Sequence, residues 1–459
     1  MNTGFSDGPK TKFNMKRGVY AALMVLVALW GCSQQPRKEV VIAPEALHTG
    51  MEHLTSVIIH DIFSPPVASR IYAYASVAAY EVLAQQDSLY EPLANQLNEL
   101  PPLPAPTQPI NYDIAAVDAF LLTGQSMIFS EEKIESYRQE WHTSLLEQGM
   151  SEALLEQSLA YSQLASAHIM AWAGKDNYKE TRTFEKHSIS SEPDKWQPTP
   201  PAYMEAIEPH WFKIRPFVLD SCNQFMPARP TAFSTDQESP FMQEVNQVYE
   251  TGKNLSDEQR EIASFWDCNP YVMNVRGHVM YATKKITPGG HWMGIAKIAC
   301  QKANTDLTRT AQVYALTAVA LADGFISCWD EKYRSNVIRP ETLINRYIDE
   351  SWTPLLQTPP FPEYPSGHSV ISTAASVTLT SLFGDNFSFV DSTEVRFGLP
   401  VRNFNSFAQA AEEAAMSRLY GGIHYMPAIT EGVKQGQAVG ELVVDRIKTQ
   451  KQVLAQHQH

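Results

Sequence analysis

The chain has 459 residues, 44% of them hydrophobic and 10% aromatic, which is enough apolar surface to bury a large core and excludes a disordered protein. Its formal net charge of -14 argues against a nucleic-acid surface, since no basic stripe able to neutralise phosphates lies outside the extreme N-terminus. An anionic substrate therefore needs a locally basic pocket.

In chain order, Lys16 and Arg17 precede the apolar run GVYAALMVLVALWG, and Cys32 follows it. That is the pattern of an export signal, and the run is too short for a comfortable transmembrane helix. LWGC resembles the lipobox of bacterial lipoproteins, with Trp30 an unusual occupant. The resemblance implies residues 1–32 as a signal peptide, lipidation of Cys32, and, with Ser33 next, an outer-membrane address in a Gram-negative bacterium. An uncleaved membrane anchor is the alternative. Residues 33–50 read as a polar tether, and no later segment offers an uninterrupted apolar run long enough to span a bilayer.

Residues 51–256 read as an N-terminal helical region with proline-rich connections. In SEEKIESYRQEWHTSLLEQG, Ile134, Tyr137, Trp141 and Leu145 recur three or four apart, Ser130 can cap, and Glu131 and Glu132 occupy the first turn, where the dipole favours them. ALLEQSLAYSQLASAHIMAWAG continues the helical pattern to about Gly174, while ELPPLPAPTQP and SSEPDKWQPTPPAY predict extended connections. Residues 257–450 carry a further run of helical patterns, rich in Ala, Ser and Thr, that allow close helix contacts. Strand-like alternation is scarce, so an all-α multi-helix bundle is predicted, with 451–459 a frayed tail. Cys222, Cys268, Cys300 and Cys328 fit no zinc spacing, and disulfides and buried thiols both remain open.

Three short stretches carry chemistry. In EKYRSNVIRP, Lys332 and Arg339 stand seven apart, two helical turns, so both cations can share one face, and Pro340 biases Arg339 out of helix. PSGHS places Ser366, Gly367 and His368 at the mouth of a helix, where unpaired amides and a partial positive charge make a seat for an anion; an ordinary Ser366 N-cap is the structural alternative. In MSRLYGGIHY, Gly421 and Gly422 let the backbone bend so that Arg418 and His424 converge.

Together these form an oxyanion cradle with two imidazoles left for chemistry. Their order and spacing resemble the signature of the type 2 phosphatidic acid phosphatase and vanadium haloperoxidase superfamily: Lys, six residues, Arg-Pro; then Pro-Ser-Gly-His; then Ser-Arg, five residues, His. Every fixed position matches. FWDCNP, TPGGHW and PFVLDSCNQFMPARP look like stretches ahead of the core in bacterial haloperoxidase-related members, which suggests that His291 and Trp292 lie near the site, against the plainer reading of a buried structural pair. One departure stands out: the family commonly has an aspartate four residues beyond the last histidine, where this chain has Ala428. Glu431 or a backbone carbonyl is then the candidate partner for the imidazole.

The resemblance implies that Lys332, Arg339, Ser366, Gly367 and Arg418 hold the oxygens of a tetrahedral anion approached on its axis by His424. With vanadate as cofactor, His424 is the protein ligand to the metal, and His368 manages protons as hydrogen peroxide oxidises a halide. With a phosphate ester, His424 attacks phosphorus and His368 protonates the leaving oxygen. One pocket suits both, because trigonal-bipyramidal vanadate resembles the phosphoryl-transfer transition state. The length of the chain and CWDEKY before the arginine resemble the haloperoxidase-related group best, with an exported acid phosphatase and a non-catalytic tethered binding lipoprotein as the alternatives.

Overall fold

A computed structural model describes residues 1–9, 40–276 and 278–451. Cys32 and the apolar run before it lie outside the described residues. Among those described, fourteen α-helices, two short 3-10 helices and two antiparallel hairpins account for the ordered elements, so the all-α expectation holds. The hairpins, Val272–Arg276 with Val279–Thr283 and Phe389–Asp391 with Arg402–Phe404, are the strands the alternation did not announce.

At the centre runs Leu307–Ser335, 29 residues capped by the Asp306 side chain on the Arg309 amide. By length and mean hydropathy this helix is apolar enough to cross a membrane, but its most apolar window is entirely buried within the protein. It is a core helix of the bundle. The Pro65–Gln86 helix packs against it and is itself buried along nearly its whole length. One hydrophobic core joins residues from the N-terminal helices and the C-terminal bundle, so the two regions read from the sequence share an interior.

Local details follow the sequence with instructive exceptions. The Glu131–Glu147 helix buries Ile134 and Leu145 and half-buries Tyr137 and Trp141, the anticipated face. Ser130 stands at its N-cap position, but its hydroxyl bonds Asp61 Oδ1 at 2.5 Å instead of capping. Glu45–His60 is helical, so an ordered element begins inside the stretch read as a tether. Cys222, Cys268, Cys300 and Cys328 are all free thiols.

Three elements bring the motif residues together. The central helix stops at Asn336, which adopts a left-handed φ of 50°. Lys332 and Arg339 consequently do not share a helix face; Arg339 sits in extended backbone as the residue before the Pro340–Tyr347 helix. The Gly367–Phe383 helix begins at Ser366, whose side chain accepts from the Ser369 amide. Phe407–Tyr420 ends at Gly421, Gly422 turns the chain at φ 77°, and His424 precedes the Met426–Arg446 helix. That last helix lies almost in backbone contact with Gly367–Phe383: a Cβ on Gly436 would stand 2.2 Å from the Val370 carbonyl oxygen, and one on Gly432 would stand 2.9 Å from that of Ser366.

Candidate active site

The structure gathers Lys332, Arg339, Ser366, Gly367, His368, Arg418 and His424 at one place. Gly367, His368, Arg418 and His424 line a small pocket of about 30 Å³, whose remaining wall includes Tyr271, Phe325, Trp329 and Phe361. A few convergent polar groups in an aromatic cleft is the usual make-up of a small-ligand site.

His424 is the best-defined member. Its Nδ1 lies 2.8 Å from Glu363 Oε1, which also accepts from the Tyr425 amide at 2.9 Å. On its other side, Arg339 Nη1 donates to Nε2 at 3.2 Å. Burial, reinforced by the charges of Arg339, Lys332 and Arg418, holds the imidazole well below its ordinary 6.5. The ring is therefore neutral, protonated on Nδ1 and carrying its lone pair on Nε2, the form that binds a metal. Glu363 takes the part of the missing aspartate. Glu431, the candidate named from the sequence, instead accepts from the Ala228 amide and pairs with Lys434, and Ala428 is buried with its carbonyl on the Ser366 amide. Glu363 lies in PEYPSGH itself, three residues ahead of Ser366, so the acidic residue inside the motif was the available signal.

Lys332 is fully buried, and burial lowers its ammonium to about 7. It donates to the carbonyls of Pro362, Glu363 and Pro365 at 3.0, 3.0 and 2.5 Å. All three of its protons are thereby directed to the loop that carries Glu363 and Ser366. The residue read as an oxygen-holding cation is in this geometry chiefly the anchor of that loop, with its charge beside Gly367.

The guanidiniums retain donors. Arg339 gives Nε to the Phe361 carbonyl at 2.9 Å and Nη1 to that of Ile423 at 2.8 Å, while its buried Nη2 has no protein partner. Arg418 is fixed by Ser417 Oγ at 2.9 Å and the Trp266 carbonyl at 2.6 Å. Burial lowers both arginines to about 10, which leaves them cationic at neutral pH. Ser366 Oγ accepts from the amide and the hydroxyl of Ser369, so the N-cap reading is realised, and neither bond uses the Ser366 proton. A Cβ on Gly367 would meet ordinary van der Waals contacts, at 3.6 Å on Trp329 and 3.9 Å on Lys332.

His368 is held by the Trp266 backbone, and its Nε2 lacks a protein partner. Burial, with Arg418 and His291 nearby, keeps it well below 6.5. The same Trp266 carbonyl region thus positions Arg418 and His368, and FWDCNP contributes Asp267 and Cys268 to the pocket wall. His291 and Trp292 are buried behind that wall: Trp292 Nε1 donates to Ser372 Oγ at 2.8 Å, and His291 stacks on Trp266 at 4.5 Å. PFVLDSCNQFMPARP braces the scaffold from outside, with the Phe217, Val218 and Leu219 amides on Asp323 and the Tyr364 hydroxyl on the Ala228 carbonyl.

Residues 312–452 match the family model of the VCPO second helical-bundle domain. The crystal structure of a bacterial vanadium-dependent iodoperoxidase superposes with a TM-score of 0.86 at 53% sequence identity, covering 91% of this chain and 100% of that one. A holo-type bacterial vanadium-dependent chloroperoxidase shares the fold at 16% identity, TM-score 0.64, over 84% of this chain and 93% of its own. Comparison with curated proteins found no match. Fold and sequence similarity thus define a helical enzyme of the type 2 phosphatidic acid phosphatase and vanadium haloperoxidase superfamily. Within it, the chain belongs to the bacterial vanadium-dependent haloperoxidases.

Proposed function

We propose that the enzyme is an iodoperoxidase that uses vanadate and hydrogen peroxide. The observation that carries this reading is the neutral His424, its Nε2 lone pair turned toward Arg339 at 3.2 Å, within a buried set of cations. The 53% identity to an iodoperoxidase supports iodide as the halide.

The residues present fit a tetrahedral oxyanion. Arg339 Nη2 and His368 Nε2 are buried polar atoms without protein partners, and Gly367 at the helix entry lines the same pocket as His368 and His424. His424 would hold the metal, while Arg339, Arg418, Ser366 and the Gly367 amide would hold its oxygens. When bound, vanadate supplies the Lewis acidity that activates peroxide toward two-electron oxidation of a halide. Arg339 and Arg418 balance the negative charge in a site of low polarity, where charge-assisted bonds are strongest. His368, neutral and half-buried at the pocket wall, accepts and returns a proton at Nε2. Tyr271, Phe325, Trp329 and Phe361 give the entrance an apolar lining that suits iodide, the least tightly hydrated of the common halides.

The test is peroxide-dependent iodide oxidation by phosphate-free protein, with and without added vanadate. Oxidation that requires vanadate and is suppressed by competing phosphate supports the reading. Hydrolysis of a generic phosphate ester without iodide oxidation overturns it in favour of the phosphatase, which the comparisons do not favour.

The N-terminal pattern, Lys16 and Arg17, the apolar run and Cys32, supports export with lipid attachment at Cys32 to an outer membrane. Mass spectrometry of the membrane-extracted protein decides it: a diacylated N-terminal cysteine is the expected result, and an unmodified Cys32 overturns it.

A further inference from the structure

Behind the pocket wall lies a cluster that the proposed peroxidase reaction does not use. Cys268 Sγ is 3.4 Å from His291 Nδ1 and 3.9 Å from Glu394 Oε1, and the histidine and glutamate atoms are 3.1 Å apart. All three side chains are buried. They come from separate segments: the turn after the Asp257–Phe265 helix, the first turn of Pro288–Ala303, and the bend after the Phe389–Asp391 strand.

We propose that Cys268, His291 and Glu394 form a zinc-binding site with one position left for solvent. The spacing is that of a tetrahedral donor set. With zinc–sulfur near ~2.3 Å and zinc–nitrogen and zinc–oxygen near ~2.0 Å, the sulfur stands about 3.6 Å from the other donors and these about 3.3 Å from each other.

The surroundings are those of a ligating histidine. His291 Nε2 lies 2.8 Å from Asp391 Oδ2, and Asp391 is itself held by the Thr393 amide at 3.0 Å and hydroxyl at 2.7 Å. A carboxylate on the far nitrogen orients the ring and leaves Nδ1 directed at the ion. Trp266 stacks on the ring at 4.5 Å and fixes its plane. Cys268 also belongs to the wall of the pocket lined by His424 and Arg418. A thiolate, an imidazole and a carboxylate together select zinc over magnesium or calcium. Binding releases the Cys268 thiol proton and any proton on His291 Nδ1 to solvent, so no redox step is involved. The ion would clamp together three segments, two of which, at Cys268 and Pro288, line the pocket.

The rival is a closed hydrogen-bond network in which His291 is an imidazolium between Asp391 and Glu394. The experiment uses the full chain, stripped with a chelator and titrated with zinc chloride or cobalt chloride. Expected are one ion per chain, a rise in melting temperature with added zinc, and a thiolate-to-cobalt charge-transfer band. C268A should abolish the band, C300S and H424A should retain it, and D391N should weaken zinc affinity about 10- to 100-fold. No stoichiometric binding, or binding unaltered in C268A, overturns the proposal. Should C268A or D391N fail to fold, zinc-edge X-ray absorption of the wild-type protein reads the donors directly, and a spectrum without a sulfur ligand overturns it equally.

Discussion

Glu363 Oε1 bridges His424 Nδ1 and the Tyr425 amide, at 2.8 and 2.9 Å, so one buried carboxylate sets both the ring and the backbone of the histidine turn. E363Q keeps the shape and removes the charge. Vanadate affinity should fall about 10- to 100-fold, the usual cost of losing a carboxylate behind a ligating histidine. E431Q, altering a residue bonded to Ala228 and Lys434, should leave affinity unchanged. Calorimetric vanadate titration of both variants checks this, and equal affinities would remove Glu363 from its role.

The two imidazoles should separate by function. H424A removes the lone pair proposed to hold the metal and should abolish both vanadate binding and peroxidase turnover. H368A leaves the arginines and helix entry in place, so vanadate should still bind while turnover falls, by about 100-fold or more as for a general acid–base group. Wild-type turnover in H424A would sink the site assignment.

Lys332 donates to three carbonyls of the loop, and K332M would remove its hydrogen bond from each, leaving Pro365 only the Cys328 thiol. Each such loss costs on the order of 1–3 kcal/mol. K332M should therefore lower the denaturant midpoint markedly as well as weaken vanadate binding. A variant that loses only vanadate affinity would mean the lysine acts by charge alone.

Stability should depend on pH through His48. Burial, aided by Lys297 and opposed by Glu45 and Glu52, lowers its pKa from 6.5 to about 4, and its Nδ1 lies 2.6 Å from the Tyr314 hydroxyl. Between those values the unfolded chain binds the proton and the folded one does not. The contribution is thus present above pH 6.5 and lost as pH falls toward 4. H48Q, able to accept from Tyr314, should show a smaller loss of stability between about pH 7 and about pH 5 in urea melts. An unchanged pH slope would show that other groups dominate.

Gly436 tests the close helix contact. G436A drives a methyl group against the Val370 carbonyl, a backbone atom that cannot swing aside. A destabilisation of about 1–3 kcal/mol is expected, as for overpacking generally. A melting temperature equal to that of wild type would mean the two helices part freely.

Much of the site was legible because its chemistry is local: PSGH at a helix mouth, and Arg418 and His424 either side of a glycine turn, are consequences of a few adjacent residues. What escaped was set by tertiary geometry. Lys332 and Arg339 look like neighbours on one helix, but Asn336 ends that helix between them. The family pattern points to a carboxylate beyond His424, and nothing in sequence spacing reveals that Glu363, in a loop 61 residues earlier, folds onto it. Ser130 shows the same limit on a small scale, since Asp61 competes for a hydroxyl that local rules assign to its own helix. The hairpins and the burial of Leu307–Ser335 likewise depend on what surrounds them.

Gly432, Gly436 and Gly440 line the face of the last helix where Gly367–Phe383 rests on it, and the Ser366 amide is tied to the Ala428 carbonyl at 2.9 Å. The helix mouth and the histidine turn are therefore parts of one rigid frame. Thermal motion carries them together, so the spacing between anion seat and imidazole is governed by a single backbone-to-backbone seam, and wear at that seam would blur the pocket without touching any residue that lines it.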